Sequence, residues 1–403
     1  MFLKTIINKN PNLIKTAVTL HQSGLIPANS YLLDIDTFKE NALIMKNEAD
    51  KLGLKLFPML KQLGRNIVAM QALKECGIES CVCVDMADAR RAHSAGMKIG
   101  HLGHLVQVPF AEVKAAVEMN PMYWTVYSIE KAKEISDALP LEKKQKILLR
   151  VYDDGDTFYK GHEGGFLASD VVKIANEIKT MRGLEVAGLT TFPTQLYNEQ
   201  KKRVEHTHNY ITLLNAAKEL KKAGWQSLEI NAPGTTSVHL FAEMAESGVT
   251  QVEPGHGLTG TTPIHAQKDM AENPAICYVS EVSHFHQGKA YCFGGGMYID
   301  PVFDEYEVKA CVGNQAETIL SQLVSCEIPA PQAIDYYGIL AKDEMIKCRD
   351  TVVFGYRIQA FVTRAFVVPV SGIQSGKPVV EGIFDSDGKE MRWPTWENNR
   401  NMH

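Results

Sequence analysis

A lysine that closes an apolar run, and two distant loops rich in glycine and hydroxyl groups, are the residues of this 403-residue chain best suited to chemistry. Lys61 follows the run LKLFPML (54–60), which reads as a buried strand. Desolvation of an amine at an apolar strand end disfavours its charged form, and a neutral amine can form a Schiff base. A solvated loop lysine is the other reading of Lys61. The first loop is Asn231-Ala232-Pro233-Gly234-Thr235-Thr236-Ser237, and the second is Glu253-Pro254-Gly255-His256-Gly257-Leu258-Thr259-Gly260-Thr261. Glycines let backbone N–H groups approach a phosphate closely, and hydroxyls add donors. Both residue types are also ordinary in turns.

Elements able to position these groups recur along the chain. Short β-rich runs occupy 54–60, 80–85, 102–108, 123–127, 146–152, 185–192, 226–231 and 249–253. Several are continuously apolar, the pattern of strands buried on both faces of a parallel sheet. Helical stripes fill the gaps, over 66–76, 86–95, 129–138, 169–181, 199–223 and 238–246, and several end at or near a glycine. Eight strands alternating with helices predict an α/β fold built on a closed (β/α)8 barrel. A doubly wound open sheet is the alternative, but no glycine-rich dinucleotide turn accompanies the runs. Chemistry in such barrels sits at the C-terminal strand ends, with phosphate commonly held after strands seven and eight. A strand-one lysine combined with phosphate loops after strands seven and eight describes a cofactor with an aldehyde at one end and a phosphate at the other, pyridoxal 5′-phosphate. An extra strand, YLLDID (31–36), precedes the eight, and Phe38, Ala42, Met45, Ala49 and Leu52 form a helical stripe after it. Beyond about residue 265 the chain becomes β-rich with intervening Gly and Pro, which predicts a mostly antiparallel β domain. The expected domains are a barrel over 28–264 and a C-terminal β domain over 265–403, with 1–27 packed on the latter.

Composition narrows the function classes. Hydrophobic residues make up 45% and charged residues 22%, so the chain is an ordinary globular one. The net charge of −5 lacks the basic excess of a nucleic-acid binder. No run of 18 apolar residues predicts a membrane span, and MFLKTIINKNPNL is too polar for a signal peptide. Eight cysteines without an evenly spaced framework read as reduced thiols, which points to the cytoplasm.

On the order strand-one lysine, late Gly/Thr loop, Glu-Pro-Gly-x-Gly loop and β domain, the sequence resembles the alanine-racemase-like (fold type III) pyridoxal-phosphate enzymes. FGYRIQAFVTRAFV and CFGGGMY resemble the YhfX-type branch. The resemblance implies that Lys61 carries the cofactor and that Asn231, Gly234, Thr235, Thr236, Ser237, Gly255, His256 and Gly257 belong to its binding loops. It implies that the N-terminal strand joins the C-terminal domain, and that a homodimer completes each site with the partner's β domain. Four residues after Lys61, where alanine racemases have a phosphate-binding tyrosine, stands Arg65, which can bond phosphate bidentately.

The sequence departs from alanine racemases at three further places. Glu253 stands where those enzymes have an arginine facing the pyridine nitrogen, and a carboxylate there favours the protonated ring and a stronger electron sink. Decarboxylases of this fold use a glutamate so. The tyrosine expected as the second acid/base is replaced by Phe293, leaving Tyr291, Cys292 and Tyr298 as candidates. The family's substrate-carboxylate arginine is unmatched in DDGDTFYKGHEGGF, where Lys160 and His162 lie nearby. The His-x-Cys and His-x-Asp tripeptides of the metal-binding relatives are missing, so no metal is expected, although His284-x-His286 and His206-x-His208 could each present two rings. The resulting expectation is an enzyme acting at the α-carbon of an amino acid or analogue, a racemase or epimerase. The alternatives are a decarboxylase, a D-amino-acid lyase or aldolase, or a non-catalytic cofactor-holding protein. The expected partner is a small amino-acid-like substrate.

Overall fold

The computed structural model describes residues 2–297, 308–330 and 333–393, and divides the chain into two compact units. One comprises Leu43–Leu60 and Leu73–Gly255; the other comprises Met1–Ala42, Lys61–Ala72 and His256–His403.

The first unit is the predicted parallel barrel. Its strands are Lys55–Leu56, Ser80–Cys83, Lys98–Leu102, Tyr123–Val126, Gln145–Tyr152, Leu184–Thr190, Glu229–Asn231 and Gln251–Val252, each paired in parallel with its neighbours. Lys55–Leu56 pairs with Gln251–Val252, and Met59 bridges in parallel to Val82, which closes the ring. The apolar runs are explained by burial on both faces: Phe57, Met59, Val82, Val84, Tyr123, Leu148 and Ala187 form an interior cluster. Helices between the strands start at side-chain caps. Asp85 accepts from the Asp88 N–H ahead of Met86–Ser94, and Ser128 accepts from the Lys131 N–H ahead of Ile129–Ala138. Gly96, at φ +66°, adopts the left-handed conformation that follows the first of these helices.

Two expected elements shift. The run at 102–108 is not the third strand. That strand is Lys98–Leu102, and Gly103 at φ +78° turns the chain out of it, so 103–108 become loop at the C-terminal end of the barrel. The helix expected from 199 starts only at His208. Before it, Gln195–Asn198 pairs antiparallel with Arg203–His206. The Asn198 side chain accepts from the Lys201 N–H and Lys202 adopts φ +48°, so local turn chemistry outcompetes helix propensity.

The second unit is antiparallel. Ile276–His286, Thr351–Phe354, Lys309–Gly313, Leu323–Glu327, Tyr337–Leu340 and Lys289–Phe293 pair in that order, and the last returns to the first, closing a six-stranded ring. The extra N-terminal strand Ser30–Asp34 joins Ile276–His286 antiparallel and Phe366–Ser371 in parallel. Helices Phe2–Lys9 and Pro11–Gln22 bury Leu3, Ile6, Leu13, Ile14, Ala17 and Val18 in a cluster with Cys277, Val279, Val353 and Val368. Among the described residues no helix is long and apolar enough to cross a membrane.

Candidate active site

Glu253 is held at the end of the eighth barrel strand with its carboxylate fully buried. Its Oε1 meets two groups able to donate: His101 Nδ1 at 2.5 Å and Asn231 Nδ2, which donates at 2.8 Å. Its Oε2 is buried with no hydrogen-bond partner among the described residues; His104 Nε2 stands 3.8 Å away. Two hydroxyls orient the two donors. Thr125 Oγ1 lies 2.5 Å from His101 Nε2, and Thr190 Oγ1 donates to Asn231 Oδ1 at 2.7 Å. The parallel register sets Asn231 beside Thr190 on one side and Gln251 on the other. The four supporting residues therefore come from the strands Lys98–Leu102, Tyr123–Val126, Leu184–Thr190 and Glu229–Asn231, at their C-terminal ends.

His101, His104 and Glu253 are also a group able to hold a metal ion. Donors on a tetrahedral zinc at about 2.0–2.2 Å stand roughly 3.3 Å apart, so with His101 Nδ1 2.5 Å from Oε1, Glu253 would ligate an ion here through Oε2. A buried carboxylate oxygen without a donor suits the protonated ring nitrogen of pyridoxal phosphate, so this cluster fits that cofactor.

The 232–237 loop fits the other end. The carbonyl of Pro233 accepts from the Thr194 N–H at 2.9 Å and from its hydroxyl at 2.7 Å, and Thr235 N–H bonds the Gln195 carbonyl at 3.0 Å. A Cβ on Gly234 would lie 2.6 Å from the Gln195 backbone nitrogen, so this close approach admits only glycine. Among the described residues the N–H groups of Gly234, Thr236 and Ser237 have no backbone acceptor, which leaves them suited to phosphate oxygens. Thr236 and Ser237 are buried, and Gly234, Thr235 and Gly255 are half-buried.

Near the barrel rim, Arg150 is fully buried. Its guanidinium donates to the carbonyls of Gly164 (3.1 Å), His104 (3.2 Å), His162 (2.6 Å) and Phe192 (3.4 Å), and to Tyr127 Oη (2.7 Å). No carboxylate is among these partners, and burial lowers the pKa of the guanidinium. The rings of His104, Tyr159, His162 and Phe192 stand within 5.5–6.0 Å of one another in four pairs, centroid to centroid. Three of the four carbonyls that Arg150 holds thus belong to residues of this ring cluster. Lys160 is exposed.

In the second unit, Lys61 opens a 3-10 turn, Lys61–Leu63. Its Nζ lies 5.1 Å from the centre of the Phe361 ring, and the Arg65 guanidinium carbon lies 5.8 Å from the same centre. Arg65 Nη1 donates to Asp387 at 3.0 Å. His256 Nε2 bonds the Ile358 carbonyl at 2.7 Å. Burial, and then the positive charge of Arg357, push its pKa well below the ordinary value; Lys61 is among the further contributors. His256 is therefore a neutral donor, and Gly257 beside it is buried. Lys61, Arg65 and His256 thus meet one segment, 356–361.

Residues 33–263 match the family described as alanine racemase, N-terminal domain, and residues 277–380 match YhfX-like, C-terminal domain. The chain belongs to the alanine-racemase-like family, in its YhfX-like branch. It is similar to the uncharacterized protein YhfX of Escherichia coli (strain K12), with 38% identity over 394 residues covering 97% of this chain and 100% of that one. Its fold is similar to that of D-threonine aldolase from Filomicrobium marinum (TM-score 0.66, 16% identity, 91% of this chain and 96% of that one). It is also similar to alanine racemase from Corynebacterium glutamicum (TM-score 0.61, 16% identity, 83% and 91%). A third structural likeness is D-threo-3-hydroxyaspartate dehydratase from Delftia sp. HT23 (TM-score 0.64, 15% identity, 89% and 97%).

The second acid/base candidates of this YhfX-like protein have different surroundings. Tyr291 is half-buried, with the His284 ring stacked on it at 4.8 Å and the Tyr337 ring edge-on at 6.4 Å. Cys292 faces the interior; its thiol donates to the Gly338 carbonyl at 3.7 Å, the place of a core thiol. The hydrogen bond that the Cys326 thiol gives to Cys292, followed by burial, pushes the Cys326 thiol well up. Tyr298 lies outside the described residues. The paired histidines part ways: His206 stacks on Tyr210 and pairs with Glu243 at 3.1 Å, while His208 pairs with Asp156 at 2.8 Å. His101, His104, Thr125, Arg150 and Phe361 escaped the sequence reading. Placing the third strand at 102–108 hid the two histidines, and the arginine inside the apolar run KILLRVY was the signal available for Arg150.

Proposed function

We propose that this YhfX-like protein is a pyridoxal-phosphate enzyme that acts at the α-carbon of an amino acid or amino-acid analogue, as a racemase or epimerase. The observation that carries the reading is the buried Glu253 Oε2, which has no donor among the described residues while Oε1 has two. Bound pyridoxal phosphate would supply the electron sink for negative charge at the α-carbon. Lys61 would hold the cofactor's aldehyde carbon and move a proton on one face of the substrate. Glu253 would hold the proton on the ring nitrogen. Gly234, Thr235, Thr236 and Ser237, with Gly255, His256 and Gly257, would hold the phosphate, and Arg65 would add charge to it. Racemisation needs a proton donor on the second face as well. Tyr291, supplied by the β unit of a second copy in a homodimer, is the candidate. Decarboxylation is the second reading, favoured by Glu253, because a carboxylate at the ring nitrogen stabilises the more demanding carbanion.

Protein reconstituted with pyridoxal phosphate, incubated with L- and D-amino acids in deuterium oxide and analysed by NMR and chiral chromatography, tests this. Deuterium at the α-carbon with inversion supports racemisation; loss of the carboxylate supports the second reading. Neither reaction with any amino acid, in protein that binds the cofactor, would leave a cofactor-holding role instead.

A further inference from the structure

We infer that His101, oriented by Thr125, is a positioning residue that fixes the direction of the Glu253 carboxylate. The inference rests on the reading of Glu253 as the partner of the cofactor's ring nitrogen.

A carboxylate in a dry site can rotate and so lose the nitrogen contact. The cluster opposes this. Oε1 lies between two donors from different strands, His101 Nδ1 at 2.5 Å and Asn231 Nδ2 at 2.8 Å, so the carboxylate plane is set by rigid elements. Each donor is in turn oriented by one hydroxyl. Thr190 donates to Asn231 Oδ1, which leaves the Asn231 NH2 facing Oε1. Thr125 lies 2.5 Å from His101 Nε2 and carries a single O–H. When that O–H donates to Nε2, the one ring proton of the neutral imidazole sits on Nδ1 and donates to Oε1. The chain then reads hydroxyl to imidazole to carboxylate, with every proton placed and Oε2 left open. All four supporting side chains are fully buried, so water cannot substitute for a lost donor.

The test uses full-length protein reconstituted with pyridoxal phosphate carrying nitrogen-15 in the ring, whose chemical shift separates protonated from unprotonated nitrogen. It pairs this with the α-proton exchange rate of whichever amino acid exchanges fastest in the wild type. We expect a protonated nitrogen in the wild type and an unprotonated one in Glu253→Gln. His101→Phe and Thr125→Val should shift toward the unprotonated signal and slow exchange about 10–100-fold, the range for losing a group that orients a reacting one. His101→Asn, which keeps a donor near the Nδ1 position, should restore most of the wild-type signal. If His101→Phe does not fold, Thr125→Val, nearly isosteric, carries the test. A wild-type signal in both His101→Phe and Thr125→Val, with Glu253→Gln shifted, overturns this inference and leaves the reading of Glu253 standing. No shift in Glu253→Gln overturns that reading too. About one transition-metal ion per chain in the purified wild type, lost in His101→Phe, overturns the inference in favour of a metal centre.

Discussion

Arg150 reaches the backbone carbonyl of His162 at 2.6 Å and so ties the loop after the fifth barrel strand to the loops that carry His104 and Phe192. A single buried cation does this through carbonyl oxygens instead of a carboxylate. Arg150→Met would fill similar space and leave those carbonyls without donors. Each unpaired buried acceptor costs about 1–3 kcal/mol, partly recovered as loops relax. We expect a loss of about 3 kcal/mol or more in stability, read as a lower urea midpoint at unchanged slope. A midpoint within experimental error of the wild type would show that the rim does not depend on Arg150.

Arg65 divides its role between a surface partner and the expected phosphate. Asp387 is mostly exposed, so Asp387→Asn should change stability by less than about 0.5 kcal/mol and leave pyridoxal-phosphate affinity unaltered. Arg65→Ala should weaken that affinity about tenfold, the loss of one charge-assisted hydrogen bond. Equal affinities in wild type and Arg65→Ala, measured by fluorescence titration, would reduce Arg65 to a partner of Asp387.

The 232–237 loop offers a steric test. Gly234→Ala places a Cβ where the Gln195 backbone nitrogen lies 2.6 Å away, so backbone must move. The cofactor's dissociation constant should rise about tenfold or more while the far-ultraviolet dichroism of the barrel persists, because a shift of about 1 Å in positioned donors is costly. Unchanged affinity would place the phosphate elsewhere.

These loops mark the boundary of what was legible in the sequence. The barrel strands could be read because burial on both faces makes runs such as KILLRVY apolar throughout, and of the stripe Phe38, Ala42, Met45, Ala49 and Leu52 all but the half-buried Leu52 are buried as the spacing implies. Glu253 and Asn231 stood out through their loop motifs. His101 and Thr125 did not, because a polar residue aimed into a barrel mouth has no local signature; the meaning of His101 comes from Glu253, 152 residues away, and that of Thr125 from His101 on the neighbouring strand. The 195–206 hairpin was lost to a side-chain turn at Asn198 that periodicity does not register.

His21 supplies a pH dependence of folding. It is buried against Thr351 and Glu281, and burial lowers its pKa from 6.5 to about 4. A base whose folded pKa is depressed favours the fold while it is neutral. Its contribution is therefore full above about pH 6.5 and falls away as pH drops toward 4, by about 3 kcal/mol at the low end. His21→Asn, which keeps a donor near Thr351, should be less stable than wild type at pH 7.5, with a shallower loss of stability between pH 6.5 and 4.5 in urea titrations. Parallel pH profiles for the two proteins would assign the titration to other groups.

The central claim is that Lys61 carries pyridoxal phosphate, and one measurement tests it most directly. Full-length protein is reconstituted with pyridoxal phosphate, reduced with borohydride, digested and sequenced by mass spectrometry. The account predicts a stoichiometric phosphopyridoxyl adduct on Lys61, absent in Lys61→Ala, although that variant should still bind the cofactor through Glu253 and the phosphate loops. A stoichiometric adduct on another lysine, or none in protein shown to be folded, would contradict it.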